Sequence, residues 1–254
     1  GSGKAHDMAQ QDLRASLCLL LFYLAGAGLI AGASWLAPVF HQEGARKAYH
    51  LVASGSVFIL LYCFSSWYAA LLGMTALLII AFVVIGLAAR TRVLASISIA
   101  RVLQYEILRQ ILYFQATIAV LLIVFWGILG AEYRYLAAAG AIAWGLGDSS
   151  AAIIGKRYGR RKLRLWGLDH QKTVAGSSAM FAASTLGILA VLGILRGGPW
   201  GLLILASLTL GMIATAVEAV SKGGSDTITL PFSVAIAGLG VLALLSRLWG
   251  VPWP

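Results

Sequence analysis

The sequence predicts an all-α polytopic membrane protein with about eight transmembrane helices (between seven and nine) and one short amphipathic helix at the membrane surface. Hydrophobic residues make up 60% of the 254 residues and charged residues only 11%, against about 45–50% and about 25% in soluble domains. The mean hydropathy is +0.89, and long apolar runs recur along the chain. These observations exclude an ordinary soluble enzyme, a disordered protein and a coiled coil.

Each predicted span is an apolar run bounded by charged or turn residues, and a bilayer crossing needs about 20 such residues. The runs lie near 16–40, 51–65, 67–88, 111–130, 135–154, 174–195, 201–218 and 228–248. The second and third form one apolar stretch, which we divide at residues 64–67 because it is too long for a single crossing. Residues 91–110 place three arginines and Glu106 among aliphatic residues, which is the pattern of an amphipathic interfacial helix.

The chain is predicted to carry one membrane domain after a short polar start. Residues 1–14 are interpreted as the remnant of an expression tag and an N-terminal tail, with a natural start at Met8. Residues 15–254 form a single integral-membrane domain in this interpretation. The two cysteines, Cys18 and Cys63, lie in apolar runs without zinc-site or disulfide spacing, and we expect them to fill the core.

The formal net charge is +10, from 19 Lys and Arg against 9 Asp and Glu. In membrane proteins basic residues gather in cytoplasmic loops and contact anionic lipid, so we expect the bilayer, and no nucleic acid, as a partner. Only 5 of the 19 cations fall at the termini and in even-numbered loops. The positive-inside rule therefore predicts that the odd-numbered loops face the cytoplasm (or stroma) and that both termini lie on the opposite side.

The densest polar segment lies in an odd-numbered loop and runs from Asp148 to Lys162. A carboxylate within a membrane helix is costly and is a functional candidate by default. Gly155 and Gly159 follow Asp148 at helical spacing, so one face of the helix carries almost no side chains. Such a face admits either a phosphate or another helix, and the cations that follow can bind phosphates.

A second polar segment opens the next apolar run. Lys172 and Thr173 precede it, and Gly176 and Ser177 follow one turn later. A helix start of this kind offers free amides and a positive dipole end to an anion. The alternative is a simple helix cap with a lysine that reaches toward the membrane surface.

Carboxylates and cations recur in two other odd-numbered loops. Glu218 and Asp226 flank a Gly-Gly turn, and one or two carboxylates together with phosphate oxygens are the usual ligands of Mg²⁺. The alternative there is a solvated hairpin whose Asp226 caps the next helix. A further set is spaced i, i+3, i+4 and i+7, which places it on one face of a short helix. Its histidine could act as a base, and the alternative is an interfacial face of salt bridges with a solvated histidine. This set comprises Glu43, Arg46, Lys47 and His50.

Taken together, these segments resemble the membrane-embedded, CTP-dependent lipid alcohol kinases, a family that includes dolichol kinase, phytol kinase and a CTP-using diacylglycerol kinase. The family's Gly-Asp followed by Gly-Arg-x-x-Gly resembles Gly147-Asp148 and residues 155–159. Its later Asp-Asn-x-x-x-Pro resembles residues 226–231, and its early Arg-Lys-x-x-His resembles residues 46–50. The phytol kinase branch is the most similar, because its Lys-Ser-x-Ala-Gly-Ser-x-x-Met-Phe is nearly matched over residues 172–181.

The chain departs from the family pattern at three positions. Thr173 replaces a serine and keeps the hydroxyl, whereas Thr227 replaces an asparagine and loses an amide. Lys156 replaces an arginine and keeps the charge but not the bidentate geometry.

The resemblance implies transfer of a phosphoryl group from CTP, with Mg²⁺, to the hydroxyl of a membrane isoprenoid alcohol such as phytol, geranylgeraniol or a related polyprenol. Positioning and charge neutralisation dominate such chemistry. We assign Asp148, Glu218 and His50 to catalysis, and Asp148, Asp226 and Glu218 to the metal. The expected nucleotide- and phosphate-binding residues are Gly155, Lys156, Arg157, Gly159, Lys162, Lys172, Thr173, Gly176, Ser177, Arg46 and Lys47.

Two other functions remain open from the sequence. A CDP-lipid synthase (cytidylyltransferase) also uses CTP in the membrane, but it releases pyrophosphate where a kinase releases CDP. A small-molecule transporter would show an internal repeat and polar residues near the midplane. The carboxylates of this chain instead lie at span ends on one predicted face, which favours an enzyme.

Overall fold

The computed structural model describes residues 2–36, 42–89, 98–163, 172–222 and 224–252, and long helices dominate this part of the chain. Eight helices, which we number α1 to α8, correspond one by one to the predicted spans. They are α1 (Ser2–Leu36), α2 (Gln42–Tyr62), α3 (Trp67–Ala89), α4 (Ser98–Leu122, continued by a π-helical turn Ile123–Ile128), α5 (Ala131–Tyr158), α6 (Val174–Arg196), α7 (Trp200–Val220) and α8 (Asp226–Trp249).

Six of these helices contain a segment long and apolar enough to cross a membrane. The segments lie in α1 and in α4 to α8, while α3 contributes a shorter apolar stretch, Trp67–Val83. Helix α2 does not meet the same criterion, since its first turns carry the charged set around Lys47. The fold class is therefore confirmed as an all-α polytopic membrane protein.

The predicted division of the long apolar stretch between α2 and α3 is confirmed. Helix α2 ends at Tyr62 and α3 begins at Trp67. Asp12 of α1 holds the turn, since its Oδ1 accepts a hydrogen bond from the Ser65 amide and its Oδ2 one from the Ser65 hydroxyl, both at 2.8 Å. Helix α1 thus begins well before its apolar run. Its early part contacts the α2–α3 turn and stabilises it.

The predicted interfacial helix at 91–110 differs in the structure. Residues 98–110 form the first turns of α4 and are continuous with the span that follows, while residues 91–97 lie outside the described residues. Neither glycine nor proline occurs between Ser98 and Trp126, so nothing in the sequence interrupts the helix between its amphipathic part and its apolar part.

The two cysteines are not in the core, contrary to expectation. Cys18 on α1 and Cys63 in the α2–α3 turn are both exposed free thiols. In a chain this apolar, neighbouring hydrophobic residues do not distinguish a lipid-facing position from a buried one. Helix α1 illustrates this, because Leu13, Leu21 and Leu29 are at least 62% exposed.

The core lies among α5, α6, α7 and α8. Each of these helices packs against the next one in the chain, α8 also packs against α5, and α2 and α4 pack against this group. Small residues bring these helices close together, as is common in membrane bundles. A Cβ on Gly140 of α5 would lie 3.2 Å from the Cα of Pro231 on α8, and one on Gly238 of α8 would lie 2.7 Å from the side chain of Leu136.

Arginines tie together the end of the bundle that holds the termini and the even-numbered connections. Arg134 donates from Nη1 to the Leu61 carbonyl at 2.7 Å, and its guanidinium lies 4.9 Å from the ring of Trp126. Arg196 donates from Nη2 to Ser246 Oγ at 2.9 Å. Within the described residues, five charged or titratable side chains beside the odd-numbered connections form two clusters at the other end: Lys47 and His50 with Asp148, and Lys172 with Glu218. The side of the membrane that each end faces stays a prediction.

Candidate functional site

Asp148 lies at the centre of the charged end of the bundle and is 3% exposed. Its Oδ2 contacts Lys47 Nζ and lies 3.1 Å from His50 Nδ1. Both partners are themselves 4% exposed, and both come from α2, which is 98 to 101 residues away in sequence. A buried carboxylate needs such partners, because removing a charge from water without them is costly.

Helix α2 presents Lys47 and His50 on one face because they are three residues apart. A second contact fixes the approach of α2, since Ser149 Oγ donates to the Lys47 carbonyl at 3.1 Å. Close approach also depends on Gly145 of α5. A Cβ there would meet the Ser54 side chain and would lie 3.2 Å from the His50 carbonyl oxygen. The site therefore rests on a close crossing of two helices.

The segment of α5 that carries Asp148 is a π-helical turn, Ala143–Asp148. Single π-turns are rare and occur frequently at functional sites. All but one of its six residues are buried, so the turn lies inside the bundle.

An aromatic stack adjoins the buried carboxylate. The Trp144 ring lies 4.5 Å from the His50 ring at an interplanar angle of 29°, and 5.5 Å from the Phe114 ring at 23°. Sequence reasoning missed Trp144. The signal that could have found it is its position four residues before Asp148 on the same helix, which is the spacing of side chains that share a face.

A second ion pair joins Lys172 to Glu218 Oε1. The Glu218 side chain is 3% exposed and that of Lys172 is 23% exposed. Oε2 of Glu218 is buried and receives no hydrogen bond from any described residue. Burial is the largest single effect on the Lys172 ammonium and lowers its pKa, but the carboxylates of Glu218, Asp148 and Asp226 together outweigh it, so the pKa is raised. Lys172 is therefore charged at neutral pH.

Asp226 begins α8, and its Oδ1 accepts a hydrogen bond from the Thr227 amide at 3.0 Å. It interacts electrostatically with Asp148, and also with Lys47, His50 and Lys172. Glu218 likewise interacts with Asp148 and with Asp226. The structure thus brings all three predicted carboxylates to one end of the bundle, facing two lysines and a histidine.

The ends of the connection between α5 and α6 pair with each other. Lys162 and Thr173 form an antiparallel bridge. The Leu163 amide donates to the Lys172 carbonyl and the Val174 amide to the Arg161 carbonyl, both at 3.0 Å. This pairing fixes Lys172 at the start of α6, where it reaches Glu218.

Thr173 caps α6 in the structure. Its Oγ1 accepts from the Gly176 amide at 3.1 Å, and its carbonyl accepts from the Ser177 amide at 2.9 Å. The Val174 amide is also bonded, so three of the first amides of α6 already have partners. The helix-cap alternative is therefore what the structure supports for Thr173, and a role in phosphate binding stays a prediction.

The predicted small-residue face packs against α6. A Cβ on Gly155 would lie 3.1 Å from Thr173 Oγ1 and 3.4 Å from the Cα of Gly176, and one on Gly159 would lie 2.7 Å from Thr173 Cγ2. A Cβ on Gly176 would lie 3.0 Å from the Ala151 carbonyl oxygen. Of the two alternatives for this face, the structure supports helix packing.

Three of the remaining predicted phosphate-binding residues lie at the surface, outside the buried cluster. Lys156, Arg157 and Lys162 are exposed, and Lys156 lies about 12 Å beyond Asp148 along α5, given the rise of an α-helix. Ser177 Oγ is buried and has no hydrogen-bond partner among the described residues. Arg46 lies on α2 next to Lys47, and its side chain is outside the described part of the chain.

The carboxylates are better suited to a metal site that substrate phosphates complete than to one formed by protein side chains alone. Within the described ranges, no three His, Cys, Asp or Glu side chains are grouped closely enough to hold a metal ion by themselves. Mg²⁺ is usually bound by one or two carboxylates together with substrate phosphates. The buried Glu218 Oε2 without a donor, and the proximity of Asp226 to Asp148, fit that arrangement.

A cavity of about 390 Å³ lies at the other end of the bundle, around Arg14, Cys18 and Cys63. Cys63 follows the last residue of α2, about 24 Å along the helix from Lys47. This cavity is therefore separate from the charged cluster.

Comparison with known proteins gives one curated relative. Over 100 residues, the chain is 30% identical to a phytol kinase from Synechocystis sp., and the match covers 39% of this chain and 42% of that protein. The chain is thus aligned with less than half of the relative's length. No protein-family model and no solved structure matches the chain. The identity supports a distant relationship to phytol kinase.

Proposed function

We propose that the protein is a membrane-embedded lipid alcohol kinase, which transfers the γ-phosphoryl group of CTP to the hydroxyl of an isoprenoid alcohol such as phytol, geranylgeraniol or a related polyprenol. The observation that carries the proposal is the buried contact of Asp148 with Lys47 and His50. The distant relationship to phytol kinase supports the same reaction class.

The energetic cost of the cluster favours a functional role. Charged side chains inside membrane segments cost about 2.5–3.5 kcal/mol each at the helix centre on insertion scales, and less near helix ends. A bundle that needed only stability would fill these positions with apolar residues, since replacing a buried ion pair in that way is often neutral or stabilising. Lys47, His50, Asp148 and Glu218 are all buried, so we assign their retention to chemistry.

His50 is the proton acceptor in this proposal. Its Nδ1 contacts Asp148, which leaves Nε2 to accept the proton of the substrate hydroxyl. A carboxylate that orients the histidine in this way recurs where a general base activates a hydroxyl group. Asp148 thus fixes the imidazole and stabilises its protonated form.

Nucleotide binding would replace the two ion pairs: Mg²⁺ would bind the carboxylates, and phosphate oxygens would bind the lysines. Asp148, Asp226 and Glu218 would hold Mg²⁺ together with phosphate oxygens, and the ion would neutralise charge on the triphosphate. Lys47 and Lys172 now neutralise the carboxylates. With Mg²⁺ bound to the carboxylates, the ammonium groups of Lys47 and Lys172 would be free to bind phosphate oxygens.

Product analysis tests the proposal. Purified protein in liposomes is incubated with γ-labelled CTP, Mg²⁺ and one alcohol at a time from phytol, geranylgeraniol, farnesol, a long polyprenol and diacylglycerol. We expect labelled isoprenoid monophosphate and release of CDP. A parallel incubation replaces the alcohol with phosphatidic acid, and release of labelled pyrophosphate with formation of unlabelled CDP-lipid there would instead identify a cytidylyltransferase. Solute movement without CTP turnover would identify a transporter.

The same preparation tests the donor and the metal. Unlabelled CTP should compete with the labelled donor more strongly than UTP or ATP does, and chelation by EDTA should abolish transfer until Mg²⁺ is restored. Equal competition by the three nucleotides would contradict CTP selectivity without contradicting kinase activity.

A further inference from the structure

We infer that Trp144 is a positioning residue, which holds the His50 imidazole in the plane that proton transfer requires. The inference rests on the proposed kinase reaction and extends it, because neither the sequence motifs nor the relative assigns a role to this tryptophan.

Two contacts of different kinds constrain the His50 ring. Asp148 holds its edge through Nδ1 at 3.1 Å, and Trp144 covers its face at 4.5 Å between ring centroids. A contact at one edge still allows the ring to rotate about its side-chain torsion, since such terminal torsions are broad. A stacked aromatic surface removes that freedom. The two contacts together therefore fix the direction of Nε2.

Trp144 is itself held in place. It is 1% exposed, and Phe114 of α4 stacks near its ring at 5.5 Å. The three rings thus come from α2, α5 and α4, and Trp144 is the central one. Trp144 and Asp148 also lie on the same π-helical turn, so one rigid segment supplies both contacts to His50.

The indole contributes through stacking rather than through a hydrogen bond. Its Nε1 is buried and has no hydrogen-bond partner among the described residues. A phenyl ring at this position would keep an aromatic surface against His50 and would remove an unpaired donor, which costs free energy when buried. An aliphatic side chain would fill part of the volume without the flat surface. Phe and Leu variants therefore separate stacking from mere packing.

The test compares Trp144→Leu and Trp144→Phe with Trp126→Leu. Trp126 is also buried, at 8% exposure, but it contacts Arg134 at the other end of the bundle. We expect Trp144→Leu to lower kcat by about 10- to 100-fold, with the KM values for CTP and alcohol within about 2-fold, because misplacement of a reacting group acts mainly on kcat. Trp144→Phe, which keeps an aromatic ring against His50, should have a kcat within about 3-fold of wild type. Trp126→Leu should leave kcat per folded protein near wild type.

A spectroscopic measurement keeps the inference testable without activity. With ¹³C-labelled histidine, the His50 ring proton resonance, assigned with His50→Gln, should move when Trp144→Leu removes the ring current of the indole. It should stay in place in Trp126→Leu. An unchanged resonance, or a wild-type kcat for Trp144→Leu, would overturn the inference. If the wild-type protein phosphorylates no alcohol, the proposed function fails, and the resonance still decides whether Trp144 stacks on the His50 ring.

Discussion

His50 Nδ1 lies 3.1 Å from Asp148 Oδ2, although the two residues are 98 positions apart in the sequence. The contact exists because α2 crosses α5 at Gly145, where a side chain would collide with α2. Lys47 reaches the same carboxylate oxygen, so one helix supplies two partners to one buried acid.

Breaking this cluster from the Lys47 side should destabilise the protein more than removing both charges. Lys47→Met leaves Asp148 buried and partly unpaired, and loss of one partner of a buried pair costs about 3–5 kcal/mol. Lys47→Met combined with Asp148→Asn should recover part of that loss. Thermal unfolding of the four proteins in detergent gives the coupling through a double-mutant cycle. Additive effects would mean that the two side chains do not interact.

The Lys172–Glu218 pair predicts a pH dependence of stability at the alkaline side. The pKa of Lys172 is raised in the folded protein, so folding favours the protonated amine. This stabilisation is fully present below the unfolded value of about 10.4 and is lost as the pH rises through the folded value. The difference in unfolding midpoint between wild type and Lys172→Gln should therefore shrink at high pH. If the difference in unfolding midpoint instead grows as the pH rises above about 10.4, the pKa of Lys172 is not raised by folding.

The contact between α5 and α6 should be sensitive to a single methyl group. A Cβ on Gly176 would lie 3.0 Å from the Ala151 carbonyl oxygen, and backbone moves less readily than a side chain. We expect Gly176→Ala to cost about 1–3 kcal/mol of stability through overpacking. Gly240→Ala on α8 is the control, because nothing lies within 4 Å of its Cβ position. That variant should be neutral or stabilise by up to about 1 kcal/mol. Equal thermal stability of the two variants would argue against the close packing.

The cap of α6 gives a graded prediction at Thr173. Its Oγ1 accepts from the Gly176 amide, and loss of such a cap costs about 0.5–2 kcal/mol. Thr173→Ala should lower the unfolding midpoint, while Thr173→Ser keeps the hydroxyl and should match wild type. If Thr173→Ser and Thr173→Ala destabilise equally, the threonine methyl group matters rather than the cap.

The sequence predicted the fold class and the eight helical segments because membrane spans have a length and a composition that hydropathy reports directly. It also predicted that Asp148, Glu218 and Asp226 lie at one end, since alternate connections of an antiparallel bundle share a side. The side of the membrane, the metal and the nucleotide stay predictions.

Other features depended on three-dimensional contacts that no local pattern reports. The ion pairs Lys47–Asp148 and Lys172–Glu218 require the crossing of particular helices. The face around Gly155 was open to two interpretations, and only the position of α6 favours packing. The exposure of Cys18 depends on where α1 lies in the bundle, because the part of the helix from Ala15 onward has no polar face that would mark its exposed side.

The proposed role of the buried Asp148 cluster in phosphoryl transfer from CTP to a lipid alcohol can be measured in one assay. Wild type and Asp148→Asn are compared side by side in liposomes for transfer of label from γ-labelled CTP to phytol and geranylgeraniol, and the folded fraction of each is measured by size-exclusion chromatography. We predict labelled lipid monophosphate with the wild type and a rate at least about 100-fold lower with the folded variant, because His50 loses the carboxylate that orients it and a general base contributes about 10²–10⁴-fold. Transfer by Asp148→Asn at the wild-type rate would mean that this carboxylate takes no part in the reaction.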